Sequence, residues 1–202
     1  MKLYQIAHKL MPKTLYSEES FSQSGEDMVL SGFFEGQNKG FYVDVGAHHP
    51  FRFSNTAYFY RHGWNGINIE PDPDSFKPFL KYRKRDINLN IAVYNYEGSR
   101  IMYQYKDPAL NSFEYNKTAI GAINVPLRSL KFIFDDYRPN KIDFLSIDTE
   151  GVDLIVLTSN DWHQYRPTYV LTEIEVNQYM ARCGYNLKAQ TRRSFIYKNN
   201  KS

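Results

Sequence analysis

Five short segments rich in hydrophobic residues recur along the chain, and segments with helical spacing separate them. They lie at residues 41–45, 67–70, 89–93, 142–147 and 169–174. Nearly continuous apolar runs of this length are typical of strands buried on both faces of a parallel sheet. Parallel strands need crossover connections, and helices are predicted for these at residues 55–61, 74–82, 152–159 and 176–183. The pattern predicts an α/β fold with a Rossmann-like, doubly wound, mostly parallel sheet and helices on both faces.

The two ends of the chain depart from this alternation of strands and helices. Segments 185–189 and 194–197 are predicted to form a C-terminal antiparallel hairpin. Residues 1–20 carry apolar residues at near-helical spacing, which predicts a helical arm ahead of a single domain at residues 21–202. A loop rich in Asn and Ser at residues 108–116 is a candidate cover over the substrate side of the sheet.

Composition and charge exclude several classes of function. The 25 basic and 22 acidic side chains give a net charge of +3, which is too small for a nucleic-acid surface without a concentrated stripe. The densest basic run, at residues 81–85, follows a predicted helix and is interpreted as a solvated face. No apolar stretch approaches the roughly 18 residues of a membrane span, and the single cysteine, Cys183, excludes an internal disulfide. We therefore expect a cytoplasmic protein with no nucleic-acid partner and no transmembrane segment.

The predicted parallel strands end at residues that could face a ligand. Ligands of open α/β sheets bind at the carboxyl ends of the strands. In this chain the residues at those positions are Asp44, Gly46, Glu70, Asn90, Ala92, Asp148 and Glu150. Each of them alone could serve as a helix cap or a turn residue, but together they predict a cleft.

The residues of this cleft lack the sequence signature of phosphate binding. A dinucleotide needs the full G-x-G-x-x-G loop for its pyrophosphate, whereas residues 44–50 contain only Gly46, which allows a sharp turn and the close approach of a ligand. Asp44 beside that turn is unfavourable near phosphate but suits the ammonium and sulfonium groups of S-adenosylmethionine. Glu70 stands where a carboxylate accepts hydrogen bonds from both ribose hydroxyls of an adenosine. No P-loop sequence occurs, so the sequence favours a methyl donor over a nucleotide.

Five segments resemble, in order, the motifs of the FkbM-type methyltransferases. They lie at residues 22–27, 43–48, 68–71, 90–93 and 144–151, within a resemblance that extends over about residues 20–198. The resemblance implies the class I methyltransferase fold and S-adenosylmethionine as cofactor. Members of this family mostly methylate hydroxyl groups of sugars, glycans, polyketides and related natural products. The segment at residues 48–51 departs from the shorter family pattern and leaves the substrate open.

The resemblance also implies roles for individual residues around the cofactor. Asp44, Gly46 and Ala47 would hold the methionine portion, Glu70 the ribose and residues 90–93 the adenine side. Gln23 and Glu26 would close the pocket. The full set of expected cofactor residues is Gln23, Glu26, Asp44, Gly46, Ala47, Glu70, Pro71, Asn90, Ala92, Val93 and Asp148.

Methyl transfer to an alcohol requires alignment of the reactants and a base that removes the hydroxyl proton. His48 and His49 are candidates because imidazole titrates near neutral pH, although a histidine here could also cap the helix that follows. Asp148, with Glu150 two residues on, is the other candidate, acting directly or through a divalent metal. Two carboxylates on one turn do not complete a metal site and the sequence fixes no third ligand, so no metal site is predicted.

We therefore expect an O-methyltransferase that acts on a hydroxyl of a sugar, glycan or related natural product. The 17 tyrosines agree with this, because some are expected to line a pocket where the ring packs and the hydroxyl bonds to a polar ligand. Two alternatives stay open. One is a nicotinamide-dependent oxidoreductase, which the missing glycines and the terminal hairpin disfavour. The other is a non-catalytic glycan-binding or scaffold protein that keeps the cofactor fold.

Overall fold

A computed structural model describes residues 19–201 of the chain. The helix predicted near the start of residues 1–20 lies outside the described residues. The elements, in chain order, are α1 (Glu26–Phe33), β1 (Phe41–Val45), α2 (Ala57–Arg61), β2 (Asn65–Ile69), α3 (Pro73–Tyr82), β3 (Ile87–Leu89), β4 (Ala92–Val93), β5 (Gly98–Gln104), a 3-10 helix (Pro108–Leu110), β6 (Gly121–Arg128), α4 (Leu130–Tyr137), β7 (Phe144–Ile147), α5 (Asp153–Thr158), β8 (Tyr169–Thr172), α6 (Asn177–Arg182), β9 (Tyr185–Gln190) and β10 (Phe195–Asn199).

Seven of these strands form one sheet in the order β3-β2-β1-β7-β8-β10-β9. The first five strands of that order are parallel to one another, and β10 runs antiparallel to both β8 and β9. Strand β1 is central, since Val43 pairs with Ile67 of β2 on one side and with Leu145 of β7 on the other. The structure therefore confirms the predicted doubly wound, mostly parallel α/β fold and its antiparallel C-terminal hairpin.

Strand β1 divides its side chains between the two faces of the sheet, because successive residues of a strand point in opposite directions. Val43 and Val45 are buried in the larger hydrophobic core. Tyr42 is buried in the core on the other face. Asp44 shares the face of Tyr42 and is also buried. The orientation of Asp44 is thus fixed by the register of the apolar residues around it.

The start of helix α3 fixes the turn that follows strand β2. The side chain of Asp72 accepts hydrogen bonds from the backbone amides of Asp74 and Ser75, at 2.9 and 3.0 Å, and Pro73 occupies the first helical position. An aspartate cap followed by proline is a strong helix-starting signal. Within residues 19–201, no helix has both the length and the apolar character needed to cross a bilayer.

Arg83, directly after α3, is fully buried, so the prediction of a solvated basic face at residues 81–85 is wrong at this position. Its guanidinium lies 3.5 Å from a carboxylate oxygen of Asp86. A buried cation is tolerated when its charge is paired and its donors are engaged. The guanidinium also donates to the carbonyl of Pro50 and to the hydroxyls of Tyr42, Ser54 and Thr56.

Three further strands form a second, smaller sheet in the order β4-β6-β5. The sequence predicted one strand at residues 89–93, and this prediction is wrong: β3 pairs with β2, whereas β4 pairs with β6 in the second sheet. The chain leaves the main sheet at Asn90, whose side-chain amide donates to the carbonyls of Glu70 and Pro71 at 2.8 and 3.0 Å. The side chain thus takes the place of further strand pairing.

Candidate active site at the strand ends

A cleft opens at the carboxyl ends of the central parallel strands. One wall comes from the ends of β1, β2 and β7 and includes Gly46, Glu70, Asp148 and Glu150. The opposite wall comes from the second sheet and from the segment between β5 and β6, which we call the cover loop (residues 105–120). Of the predicted site residues, Gln23, Gly46, His48, Glu70, Pro71, Ala92, Val93, Asp148 and Glu150 line the cleft, and Glu26, Asp44, Ala47, His49 and Asn90 are not in its lining.

Gly46 makes the turn after β1 possible. Its φ is +77°, in the left-handed region that favours glycine. A Cβ at this position would lie 1.8 Å from the carbonyl oxygen of Asp148. The amides of Gly46 and Ala47 both donate to the carbonyl of Ile69, at 3.0 and 3.1 Å. The close packing of the turns after β1 and β7 therefore requires a glycine here, whether or not a ligand also approaches it.

Glu70 is buried at the end of β2 and lines the cleft. Its carboxylate accepts hydrogen bonds from the backbone amides of His48, at 2.7 Å, and Asp72, at 2.8 Å. Burial nevertheless raises the pKa of Glu70 to about 7, against the opposing effect of these two hydrogen bonds. Each carboxylate oxygen has two lone pairs, so Glu70 can hold this turn and still accept hydroxyl donors.

Three carboxylates gather at the ends of β7 and β8: Asp148, Glu150 and Glu173, which we call the cleft cluster. Three carboxylate oxygens, one from each residue, lie within 4.8 Å of one another. Burial, followed by the charge and hydrogen bond of Glu173, raises the pKa of Asp148 well above its usual range. Burial also raises the pKa values of Glu150 and Glu173, while the charge of Arg193 lowers both. The cluster thus favours uptake of a proton or a cation.

Glu173 was missed from the sequence because the predicted strand at residues 169–174 continued past it. In the structure β8 ends at Thr172, so Glu173 stands at the carboxyl end of a parallel strand, like the predicted site residues. The backbone amide of Glu173 donates to Asp153 at 3.1 Å. Glu173 supplies the third carboxylate that the sequence left unassigned, and the cleft cluster could hold a divalent cation as well as a cationic ligand.

The two neighbouring histidines occupy different environments. His48 lines the cleft and has a φ of +51°. Burial, together with the charges of Arg52 and His49, lowers the pKa of His48, so its imidazole is neutral at neutral pH. His49 lies outside the lining, and its Nδ1 accepts the backbone amides of Phe51 and Arg52 at 3.1 and 2.9 Å. His48 is thus available as a base, whereas His49 stabilises the loop that follows.

Asp44 and Glu26 were both expected beside the cofactor, and both bond elsewhere. The carboxylate of Asp44 accepts a hydrogen bond from the hydroxyl of Thr56 at 2.7 Å, and burial raises the pKa of Asp44 to about 6. It is not among the residues that line the cleft, and strand alternation places its side chain on the face opposite to Val43 and Val45. Glu26 accepts a hydrogen bond from Thr191 at 2.6 Å, which joins α1 to the terminal hairpin. Negative charge in the cleft therefore comes from other carboxylates.

The cover loop is fastened to the turn after β2. One carboxylate oxygen of Asp72 caps helix α3, and the other accepts hydrogen bonds from the side-chain amides of Gln104, at 2.8 Å, and Asn111, at 3.0 Å. The loop thereby brings Ala109 and Phe113 into the wall that faces the strand ends. This arrangement confirms that the predicted loop lies over the cleft.

Comparisons with known proteins agree with the predicted family. The sequence pattern described as the methyltransferase FkbM domain matches residues 44–187, from β1 into β9, so the motif at residues 22–27 lies outside the match. No curated protein is a significant match. A solved structure described as "a putative RNA methyltransferase" from Pyrococcus horikoshii is similar, with a TM-score of 0.41, 10% identity and coverage of 98% of each chain. The family match includes the second sheet and the strand ends around the cleft and extends over more than half of the chain, and the chain therefore belongs to the FkbM methyltransferase family.

Proposed function

We propose that the protein transfers a methyl group from S-adenosylmethionine to a hydroxyl of a sugar, glycan or related natural product. The observation that carries this proposal is the cleft at the strand ends, where carboxylates surround a single-glycine turn. A dinucleotide would bring a pyrophosphate to these carboxylates, and like charges would oppose its binding. A cationic methyl donor meets an attractive field in the same place.

The residues of the cleft fit the three parts of S-adenosylmethionine. Glu70 is assigned to the ribose hydroxyls. The apolar side chains of Ile91, Val93 and Phe113 line the same cleft and suit the adenine ring. The cleft cluster suits the ammonium and sulfonium groups, because neighbouring carboxylates favour a bound cation. This assignment replaces the one that the sequence suggested for Asp44.

The reaction needs a base and an aligned acceptor. When bound, S-adenosylmethionine would supply a methyl group on a positively charged sulfur. The acceptor oxygen would take the methyl carbon, and the sulfur would leave as a neutral thioether. His48 is assigned as the base, since its imidazole is neutral and lines the cleft, and one of its ring nitrogens takes the proton that the hydroxyl loses. Asp148 and Glu150 hold the donor in place. The cover loop excludes water from the reacting groups.

Calorimetry with S-adenosylmethionine and with its demethylated product tests the cofactor assignment. We expect both to bind with a Kd below about 1 mM. Glu70→Gln should weaken both by about tenfold, because the amide replaces one acceptor oxygen with a donor. Glu114→Gln, an exposed change outside the cleft lining, is the matched control and should leave both affinities unchanged. Absence of binding to the wild-type protein would end the methyltransferase proposal.

Transfer of labelled methyl groups onto a glycan extract tests the acceptor class. We expect the label in methyl ethers of sugar hydroxyls. These should resist mild base, which would remove the label from methyl esters. Cofactor binding without transfer to an extract that contains the acceptor would instead favour a non-catalytic glycan-binding protein. Label on protein or nucleic acid would contradict the assigned acceptor class.

A further inference from the structure

A second depression opens beside the cleft, between the loop after His49 and the cover loop. We call it the side groove. Its lining includes Arg52, Tyr105, Lys106, Asp107 and Leu110. Pro108 lines both the side groove and the cleft, so the two spaces adjoin at the 3-10 helix.

The side groove carries cationic side chains that are not neutralised by neighbouring carboxylates. Arg52 and Lys106 are both exposed, and within residues 19–201 neither forms an ion pair. The guanidinium of Arg52 lies over the ring of Phe53, 4.5 Å from its centroid. Asp107 also lines the groove, where its carboxylate accepts the backbone amide of Ala109 at 3.2 Å, so two cations face one carboxylate. The groove therefore presents a net positive charge to a ligand.

The side groove lies next to the candidate base. The charge of Arg52 lowers the pKa of His48 and that of Asp107 raises it, so both side chains are near the imidazole. Phe53 follows Arg52 in the chain, lines the cleft and has 42% of its surface exposed. Its φ of +58° is unusual for a bulky residue. Such backbone strain is often found at functional sites.

We propose that the side groove binds the acceptor, and that the acceptor is a sugar bearing an anionic group, either a carboxylate or a phosphate. Arg52 and Lys106 bind the anionic group, and the rings of Phe53 and Tyr105 pack against the sugar. The hydroxyl to be methylated then reaches His48 at the edge of the cleft. This inference rests on the proposed function and names the class of its acceptor.

Binding of small glycosides to the full chain tests the inference. The probes are methyl β-glucuronide, α-glucosyl phosphate and, as the neutral comparison, methyl β-glucoside, each titrated by calorimetry. We expect at least one anionic probe to bind about tenfold more tightly than the neutral one, as two exposed charge contacts would provide. The two anionic probes distinguish a uronic acid from a sugar phosphate. Equal affinity for all three probes, or no binding of either anion, would overturn the proposal.

A pair of double variants separates the groove from general surface charge. Arg52→Gln with Lys106→Gln should abolish the preference for anions and leave the affinity for S-adenosylmethionine unchanged. Lys84→Gln with Arg182→Gln removes the same charge outside the cleft and the side groove and should keep the preference. A preference that survives in the first double variant overturns the inference, even if S-adenosylmethionine binds. If anions bind and S-adenosylmethionine does not, the anion site stands and the proposed function falls.

Discussion

The molecule holds two clusters of buried or half-buried polar groups on different parts of the same sheet, and they are neutralised in different ways. The inner cluster consists of Tyr42, Asp44, Thr56, Arg83 and Asp86. There one guanidinium is surrounded by hydroxyls and two carboxylates, and the phenol of Tyr42 joins Arg83 to Asp86 at 2.9 and 2.6 Å. The cleft cluster has three carboxylates at close range, and Arg193 is the cation that acts on two of them.

We infer from this difference that the inner cluster stabilises the fold and that the cleft cluster is a candidate ligand site. The inner cluster contains its own counterion, and Thr56 and Asn68 satisfy further oxygens of its carboxylates. In the cleft cluster, burial raises the pKa of Asp148, and the charge and hydrogen bond of Glu173 raise it further. Under the proposed function, the sulfonium of the methyl donor would supply a counterion for these carboxylates. Four predictions test this difference between the two clusters.

The largest effect is expected from removal of the cation of the inner cluster. Arg83→Met should destabilise the fold by about 3–5 kcal/mol, because Asp86 would remain buried without its counterion. Urea unfolding measures this loss. Arg83→Lys tests geometry as well as charge, since one ammonium cannot reach all the present partners. Lys84→Met, an exposed neighbour, should change stability by less than about 0.5 kcal/mol. A similarly small loss in Arg83→Met would contradict the structural role of the inner cluster.

The next effect is expected in the cleft cluster and should have the opposite sign for stability. Asp148→Asn should lower methyl transfer by about 100-fold or more, since it removes a charge assigned to the donor. The same change should stabilise the cofactor-free protein by about 1 kcal/mol at pH 8, because it relieves repulsion with Glu173. Parallel measurements of turnover and thermal unfolding decide the point. Loss of both activity and stability would place Asp148 with the inner cluster instead.

A third, smaller effect concerns pH. Burial raises the pKa values of Asp148 and Glu70, that of Glu70 to about 7. Carboxylates of the unfolded chain have pKa values near about 4, so between about pH 5 and pH 8 the native protein retains protons that the unfolded chain has released. Stability should therefore be greatest at the acid end of this window and fall as pH rises, by up to about 3 kcal/mol.

The variant pair Asp148→Asn and Glu70→Gln should flatten this fall, because it removes the groups that titrate. Urea unfolding at several pH values measures the slope. Asp44, whose pKa burial raises to about 6, stays in the variant and leaves a residual slope of the same sign. A slope as steep as that of the wild type would assign the titration to other groups, such as Asp44 or the two glutamates of the cleft cluster.

The smallest effect should distinguish the adjacent histidines. His49→Ala should cost about 1–2 kcal/mol of stability, because two backbone amides lose their acceptor. It should leave cofactor affinity nearly unchanged. His48→Ala should lower turnover with less effect on stability, since its ring faces the cleft. The reverse pattern in turnover and urea unfolding would exchange the two roles.

The sheet was predictable from the sequence because its strands are nearly continuous apolar runs, which have few other uses in a chain of this size. The break at Asn90 was not. It depends on two side-chain hydrogen bonds to carbonyls of the preceding strand end, and apolar periodicity carries no information about such contacts. Arg83 was misassigned for a similar reason: a charged residue between other charged residues gives no sign of the buried partners that the fold brings to it.

In the cleft, the rule that strand ends hold the site residues predicted Glu70 and Asp148 as lining residues. It missed Glu173, which belongs to the cleft cluster but is not among the lining residues, because the strand was predicted to end two residues too late. The rule also does not say which face of the sheet the side chain of Asp44 takes. Orientation there follows from the neighbours that alternate with it, Val43 and Val45, and could have been read from their pattern.

The second sheet enters and leaves the main body at one place. Ala92 pairs with Leu127 and Val93 with Arg128, so the first and last strands of segment 92–128 lie side by side. An insertion whose ends are adjacent can vary in length and sequence with little strain on its host. The segment carries the cover loop and six of the seven residues that line the side groove, all but Arg52. It can therefore be exchanged as one unit, and a chimera at these two junctions that retains Val93 and Phe113 of the cleft should change the acceptor while keeping the proposed methyl donor.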